Sequence, residues 1–345
     1  MAVLQAFNVA TDGAQAWLGG LVFAIAFDQD GVGRTLSNCD ASTLEQGVGE
    51  GWLWLHFNLA DMRTQTFVGR HAALSPAVRT LLLDDEDRHL AVGDAQAVGL
   101  ILSDFQTEFD GAVGFEPARL RLALGDRLVI SVRRHPLMCV EKVRRAVVSG
   151  RRIETPGALI GALGDAFIDA ASDHIETFAD RFDDLEDAVI AGLSDAGHHN
   201  VARMRRTLLR LHREVAPMRS LMRRLGMLAA ENPTSPAVSA IGEASRLVAS
   251  LDGLDNEVRD LQARARLIRE EIEALASAET NRQLFILSVL SAVFLPGTLV
   301  TGLFGMNTKD LPFAETAGGF WFALGFVGLA TAFVIFIIRW LGGRR

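Results

Sequence analysis

Polar and small residues recur along one face of an apolar stretch near the C-terminus. Steps of three and four residues place on this face Asn281, Leu284, Ser288, Ser291, Leu295, Thr298, Gly302 and Gly305, which we call the polar stripe. Amide and hydroxyl oxygens are ligands that suit hard, hydrated cations. In a membrane such a face turns towards other helices or water, because lipid would leave its polar groups unsatisfied. If several copies surround an axis, the stripe predicts a polar-lined pore.

Two features of the same stretch also have a simpler interpretation. Ser288, Ser291 and Gly302 are compatible with close packing of small residues between helices. Pro296 frees the backbone carbonyl of Ala292, which membrane helices tolerate where a cavity or polar neighbours restore the bonding. A proline kink alone is equally compatible with helix packing.

The polar stripe lies in the first of two apolar segments, at about 284–304 and 318–340. Each is long enough to cross a hydrocarbon core of ~30 Å, and the loop 305–317 between them is too short for a domain. Arginines flank the inner ends and the loop carries more acidic than basic residues, so the positive-inside rule places both termini in the cytoplasm. We therefore expect a transmembrane hairpin over 284–345. Two buried core helices of a soluble domain are the alternative.

A long helix is predicted to lead into the first span. Apolar residues follow one another in alternating steps of four and three, at Leu247, Leu251, Leu254, Val258, Leu261, Ala265, Ile268, Ile272 and Leu275. This heptad seam predicts a coiled-coil-like stalk helix over 237–283 that continues into the membrane. At 1.5 Å per residue the whole helix is ~100 Å long, so it needs partners, either its own hairpin or other subunits. We interpret the polar stripe as the continuation of this seam. It is shifted by about one residue because an α-helix has 3.6 residues per turn and the seam repeats every 3.5.

Two charged helices precede the stalk, over 151–236. The first is acidic between Asp165 and Asp187, and the second is rich in arginine between Arg203 and Arg224. Separated by a break at 194–199, they predict an antiparallel hairpin with complementary faces. Two independently solvated faces would give the same pattern.

The first 150 residues predict a mixed α/β domain. Apolar, β-prone runs occur at 20–27, 51–58, 97–105 and 119–134, and Gly125-Asp126 in the last run indicates a hairpin. Ser75-Pro76 has the residue types of a helix N-cap and first helical position. The expected fold class is an α+β cytoplasmic domain followed by long helices and two transmembrane helices.

Composition excludes several other classes of protein. The chain of 345 residues has a net charge of −8, which argues against nucleic-acid binding, and its two cysteines, Cys39 and Cys139, predict neither a disulfide framework nor a thiolate metal site. The N-terminus lacks the pattern of a signal peptide. The common nucleophile, phosphate-binding and zinc-protease motifs do not occur, so we expect neither an enzyme nor a cofactor.

Metal ligands outside the polar stripe are weakly indicated. His198-His199 could bind zinc, although a solvated loop is the simpler interpretation, and the other histidines show no metal-binding spacing. The acidic run 84–87 could attract cations, or could be a solvated helix end. Glu270 and Glu271 could face the inner mouth of a pore.

The residues Pro296, Thr298, Gly302 and Gly305-Met306-Asn307, which close the first of two C-terminal spans, resemble the CorA superfamily of divalent-cation transporters. Gly-Met-Asn at this place is the signature of that family. The layout of the whole chain is similar to the family, and the segment 52–61 resembles a segment of its first domain.

The resemblance implies a funnel-shaped homopentamer whose first span lines the pore. It implies that Asn307 forms an outer ring that binds the hydrated cation through water, with Gly305 and Met306 shaping the loop. Thr298 and Asn281 match polar rings further in, and Leu295 and Gly302 match narrow positions. The polar stripe adds Ser291 and Ser288 to this pore.

The loop after Asn307 bears on the substrate. Magnesium-type members of the family carry a Met-Pro-Glu-type loop there, whereas this chain has Thr308-Lys309-Asp310-Leu311-Pro312-Phe313. The loop is closer to the ZntB branch, which implies zinc transport, possible proton coupling and a bacterial inner-membrane location. A magnesium, cobalt or nickel channel is the alternative. A protein of another class, a membrane-anchored coiled-coil scaffold, is a further alternative. A hairpin that only anchors such a scaffold would need neither the polar stripe nor Gly-Met-Asn.

Overall fold

The computed structural model describes residues 19–36, 49–71, 74–85, 88–106, 116–190, 197–306 and 318–342. Within these ranges, seven strands form one sheet in the order β2-β1-β3-β7-β6-β5-β4. They are β1 (Leu21–Phe27), β2 (Gly33–Thr35), β3 (Trp52–Asn58), β4 (Ala91–Gly93), β5 (Val98–Phe105), β6 (Pro117–Leu124) and β7 (Leu128–Arg133). The central pair β3–β7 is parallel and the other pairs are antiparallel. All four predicted β runs are confirmed as strands.

Three short helices cover the sheet, namely α1 (Met62–Arg70), α2 (Pro76–Leu83) and α3 (Met138–Val148). Ser75 caps α2 and Pro76 is its first residue, as predicted. α1 and α2 bury one face of β3, whose side chains alternate between the two faces. On the other face, Trp52 donates a hydrogen bond from Nε1 to the carbonyl of Ile153 at 3.2 Å. Asp104 on β5 accepts the backbone N–H groups of Cys139 and Val140, and so caps α3.

Four long helices follow. They are α4 (Pro156–Ile190), α5 (Gly197–Glu231), α6 (Ile241–Gly305) and α7 (Gly319–Gly342), and a short 3-10 turn over Pro236–Ala240 precedes α6. The predicted unbroken helix that joins the stalk to the first span is therefore confirmed. α5 begins earlier than predicted, so His198 and His199 lie in its first turn and not in the loop before it.

The charges of α4 and α5 pair differently from the prediction. Asp183 and Glu186 of α4 both contact Arg264 of α6, at 2.5 Å and 2.6 Å. Arg219 of α5 contacts Asp252 of α6 at 2.7 Å, and the buried Asp255 at 3.2 Å. The acidic and the basic helix therefore each pair with α6, because this third helix carries both signs of charge on the surfaces that face them. The two outer faces are largely solvated.

A buried polar cluster joins α5 to the sheet. Glu214 on α5 accepts hydrogen bonds from the Ser103 hydroxyl at 2.8 Å and from Arg119 at 2.5 Å and 3.2 Å. His89 lies 2.5 Å from the same hydroxyl. Burial and the positive charge of Arg119 lower the pKa of His89 to about 4, so its ring is neutral at neutral pH. Because every partner is itself hydrogen-bonded, this cluster fixes α5 against β5 and β6.

The heptad seam packs inside the chain. Leu247, Leu251, Leu254, Val258, Leu261, Ala265 and Ile268 are buried, whereas Leu275 is 42% exposed. Gly164 of α4 lies directly over Leu247, where an added methyl group would come within 2.5 Å of its side chain. Of the two partners that the sequence leaves open for the stalk, the chain's own helices thus cover the seam up to Ile268.

The chain divides into two compact units, one that ends at Ile268 and one that begins at Arg269. The first contains the sheet, α1 to α5 and the N-terminal part of α6. The second contains the C-terminal part of α6 and the helix α7, and both of these helices are long and apolar enough to cross a membrane. The segment boundaries predicted at 150, 236 and 283 stay predictions.

Candidate ion pathway

The candidate pathway is built on the C-terminal part of α6, which stays helical through Pro296 up to Gly305. Hydroxyl groups satisfy backbone carbonyls around the proline. Thr298 Oγ1 donates to the carbonyls of Phe294 and Leu295 at 3.0 Å and 2.9 Å, and Thr301 Oγ1 donates to that of Gly297 at 2.9 Å. These bonds go to carbonyls other than that of Ala292, which is the one that Pro296 leaves without its helical donor.

All eight residues of the polar stripe are exposed in the chain. Leu295, an apolar member, is 66% exposed. From Asn281 to Gly305 the stripe extends about 36 Å along the helix, which exceeds the ~30 Å of a hydrocarbon core. The chain by itself therefore presents an uncovered face of polar and small residues that is long enough to line a complete passage.

The opposite face of α6 packs against α7. Val300 is only 6% exposed, and Val289, Val293 and Pro296 are half-buried beside it. A methyl group built on Gly297 would lie 3.7 Å from Val327 of α7. The half-buried residues of α7 follow the same steps of three and four, at Ala323, Val327, Ala330, Val334 and Ile338.

The two faces of α6 are well separated. At about 100° of rotation per residue, Thr298 and Gly302 each lie about 160° around the helix from Val300, and Ser291 lies about 180° from it. Helix packing within the hairpin therefore uses residues other than the stripe. The alternative of small-residue packing for Ser288, Ser291 and Gly302 would need a partner other than α7.

The predicted relation between the stalk seam and the polar stripe stays a prediction. Strict steps of four and three from Ile272 reach the half-buried face around Val300, but they pass through Glu279 and Arg282, so the apolar period is interrupted. At about 100° of rotation per residue, Thr298 and Val300 each lie about 80° around the helix from Ile272, on opposite sides of it.

The hydroxyl groups of the stripe are oriented by the helix itself. The hydroxyl of Ser288 donates to the carbonyl of Leu284 at 2.8 Å. In the same way, the hydroxyl of Thr298 donates to the carbonyl of Phe294, four residues earlier. A hydroxyl has one proton to donate and two lone pairs that accept. With the proton engaged along the helix, the lone pairs are available on the exposed side. This arrangement suits a cation or the water molecules of its hydration shell.

The structure adds one residue to those predicted. Thr301 is exposed and lies one helical turn after Thr298, at the edge of the stripe. Its hydroxyl also donates to the carbonyl of Thr298 at 3.1 Å. The Thr-x-x-Thr spacing after Pro296 is the sequence pattern that could have identified Thr301, because residues three apart share a helix face.

The C-terminal end of α6 coincides with the start of Gly-Met-Asn. The helix ends at Gly305, and the backbone N–H of Met306 donates to the carbonyl of Leu303 at 3.3 Å. The side chain of Met306 is 50% exposed. Asn307 and the loop Thr308 to Phe313 lie outside the described residues, so the outer ring at Asn307 stays a prediction.

The structure gives little support to the candidate metal ligands outside the polar stripe. Within the described part of the chain, no group of three or more His, Cys, Asp or Glu side chains could hold a metal ion. Asp85 pairs with Arg134, and Glu270 and Glu271 are exposed on α6. Burial lowers the pKa of His56 to about 3 and that of His71 to about 4, so these rings are neutral at neutral pH.

Comparison with known proteins covers nearly the whole chain. Residues 49–341 match the family model described as "CorA-like Mg2+ transporter protein". The divalent cation transporter CmaX of Pseudomonas aeruginosa is 27% identical over 337 residues, which are 93% of this chain and 97% of the relative. The zinc transport protein ZntB of an Enterobacter species is 27% identical over 338 residues, 96% of this chain and 95% of the relative.

Two solved structures have a similar fold. The full-length CmaX protein superposes with a TM-score of 0.74 at 24% identity, covering 96% of this chain and 99% of its own. The CorA magnesium transporter of Methanocaldococcus jannaschii superposes with a TM-score of 0.71 at 17% identity, covering 92% and 98%. The likeness includes the sheet, the long helices and both apolar helices.

Proposed function

Because the chain belongs to the family of CorA-like Mg2+ transporter proteins, which are divalent-cation transporters and not enzymes, we propose that its polar stripe is the ion pathway. In this proposal five copies surround an axis, and α6 of each copy turns its stripe towards that axis. The observation that carries the proposal is that the exposed polar and small residues of this part of α6 share one side of the helix, away from the face that packs on α7. Other copies would cover this face, and water would fill the space between them.

Residues along the pathway have distinct proposed roles. Asn307, with Gly305 and Met306, forms the outer entrance and binds the hydrated cation through its water. Leu295 and Gly302 narrow the passage. Thr298, Ser291, Ser288 and Asn281 offer oxygen atoms to the hydration shell, which hard cations lose reluctantly. Both termini lie in the cytoplasm of a bacterium, with the two spans in the inner membrane.

Zinc is the cation that we propose, with coupling to protons. Two observations support it: the loop Thr308 to Phe313 departs from the magnesium-type pattern, and relatives named as zinc transport proteins align over almost all of the chain. A channel for magnesium, cobalt or nickel is the second candidate. It is favoured by the description of the family model and by the equally similar CmaX, which is named for divalent cations in general.

Flux into proteoliposomes tests the substrate. We expect zinc uptake to exceed magnesium uptake, and an acidic exterior to accelerate zinc entry, since protons would then move inwards with the metal. The panel comprises zinc, magnesium, cobalt and nickel, each measured with and without the pH gradient, and protein-free liposomes are the control. Magnesium flux that exceeds zinc flux and does not depend on the pH gradient would favour the second candidate, a channel for magnesium, cobalt or nickel. Absence of flux for all four cations would favour the scaffold.

A further inference from the structure

Two rows of charged residues on the surface of the first unit have opposite signs. The acidic row lies on α4 and the basic row lies on α5. They consist of Glu176, Asp180, Asp184 and Asp187, and of Arg203, Arg206, Arg210 and Arg213. Steps of three and four residues keep each row on one face of its helix. All eight residues are exposed, and among the described residues none of their side chains forms an ion pair.

Each row points away from the interior of the first unit. Phe182 of α4 is fully buried and lies two residues from Asp180 and from Asp184, which places both carboxylates about 200° around the helix from it. Leu208 of α5 is also fully buried, and the two nearest arginines of the basic row are again two residues away. The rows thus face outwards on separate helices, which explains why they do not pair with each other inside one chain.

Contacts with α6 show that the two rows lie at the same level along the helices. Arg264 of α6 contacts Glu186, which precedes the last residue of the acidic row, at 2.6 Å. Gln262 of α6 donates a hydrogen bond at 3.4 Å to the carbonyl of Leu208, in the middle of the basic row. Two residues of an α-helix span about 3 Å, so α6 holds these two points at nearly one level.

The directions of the helices extend this match. α4 runs parallel to α6, because Asp165 near its start contacts Arg246, well before Arg264, at 2.7 Å. α5 runs antiparallel to α6, because Arg219 beyond the basic row contacts the earlier residue Asp252 at 2.7 Å. At 1.5 Å per residue each row is about 15 Å long. The two rows therefore overlap in level over most of their length.

We propose that the acidic row of one copy of this chain binds the basic row of a neighbouring copy. A copy that stands beside the first, with its helices parallel to those of the first, brings the two rows together at one level. Each copy then uses its acidic row on one side and its basic row on the other, and such a contact closes into a ring when the rotation between copies allows it. The proposal rests on the ring of copies proposed above, and adds to it a contact that shares no residue with the polar stripe.

The matched rows favour a second copy over a different protein as the partner. A partner with a single charged face would use only one of the two rows, whereas a second copy uses both. An exposed ion pair contributes little affinity by itself, but guanidinium and carboxylate groups form directional pairs. Complementary charges mainly select which surfaces meet and exclude contacts between like charges. The rows therefore act on the choice and the register of the neighbour.

Co-assembly of charge-reversed chains tests this contact. One full-length chain has the acidic row reversed, by Glu176→Lys, Asp180→Lys, Asp184→Lys and Asp187→Lys. The other has the basic row reversed, by Arg203→Glu, Arg206→Glu, Arg210→Glu and Arg213→Glu. Identical reversed chains then meet with like charges, whereas the two different chains attract each other on both sides. After co-expression and purification in detergent, we expect a tagged acid-reversed chain to capture the untagged base-reversed chain roughly tenfold more than its own untagged form.

Two controls accompany this capture. A chain with both rows reversed should capture itself as well as the unaltered protein does, which only a folded protein can do. Salt at about 1 M shortens the screening length to ~3 Å and should remove the preference.

Equal capture of the two reversed chains at low salt, in assemblies that still form, would overturn the contact and leave the proposed ring standing. Failure of the unaltered tagged chain to capture untagged copies would overturn the ring and this contact together.

Crosslinking of single cysteines tests the same contact by distance. In a background without Cys39 and Cys139, chains with Asp180→Cys and chains with Arg210→Cys would be co-expressed and treated with a short bifunctional maleimide. We expect crosslinked pairs that contain one chain of each kind, and none when either chain is present alone. Asp126→Cys, in the turn between β6 and β7, is the exposed control and should give no crosslink with Arg210→Cys. Pairs of identical chains, or crosslinking only at the control position, would contradict the proposal.

Discussion

Replacing Thr298 by leucine is expected to reduce divalent-cation flux roughly a hundredfold or more, because each of the five copies in the proposed pentamer would lose a hydrogen bond to the hydrated cation, and even ~0.5 kcal/mol per copy amounts to ~2.5 kcal/mol in the ring. The helix already holds the Thr298 proton on the carbonyls of Phe294 and Leu295, so the lone pairs are what the substitution removes. The side chain is exposed in the chain, and the fold should tolerate leucine. Metal influx into proteoliposomes is the measurement.

Two further variants control this experiment. Thr298→Ser keeps the hydroxyl and should retain most of the flux. Val300→Ala alters the face that packs on α7 and leaves the stripe intact, so it should weaken the hairpin without slowing transport in the molecules that assemble. If Thr298→Leu conducts as well as the unaltered protein, or if Val300→Ala alone abolishes conduction, the stripe does not carry the ion.

Replacing Asn307 by alanine is expected to lower cation influx at least as strongly. The Asn307 amide is the proposed group that binds the hydrated cation at the entrance, and its loss removes that binding from every copy in the ring. α6 ends at Gly305, so Asn307 follows the end of the helix and its replacement leaves the helical residues unchanged. Influx should be measured over a range of metal concentrations.

An assembly control accompanies the Asn307 variant. Size-exclusion chromatography should show the same oligomer for Asn307→Ala and the unaltered protein. Asn307→Asp keeps an oxygen ligand and adds a negative charge, so it should preserve cation entry. Influx of the alanine variant at the unaltered rate, with an intact oligomer, would remove Asn307 from the entrance.

Local sequence patterns predicted the elements that pack through regular apolar periods. The β-prone runs became β1, β3, β5, β6 and β7, and the absence of breakers between Leu275 and Leu284 predicted the unbroken α6. Stepping by threes and fours also separated the polar stripe from the face that contains Val300. These features depend on neighbours within a few turns of the chain, which the sequence displays directly.

Features that depend on distant partners could not be predicted in this way. The seam of α6 is apolar whether its own helices or another subunit cover it, and only the structure shows that its own helices do so up to Ile268. Arg219 of α5 pairs with Asp252 and Asp255, more than thirty residues away. His56 is hydrogen-bonded to Ser131, 75 positions along the chain. Periodicity carries no information on such contacts.

Accessibility of single cysteines along α6 tests the central claim most directly. In a variant without Cys39 and Cys139, cysteines would be placed at Ser288, Ser291, Thr298 and Gly302 on the stripe and at Val293 and Val300 on the opposite face. The account predicts that a membrane-impermeant, water-soluble thiol reagent modifies the stripe cysteines in the assembled protein, that divalent cation slows this modification, and that cysteines at 293 and 300 stay unmodified. Modification at 293 and 300 with protection along the stripe would show that the ion pathway lies elsewhere.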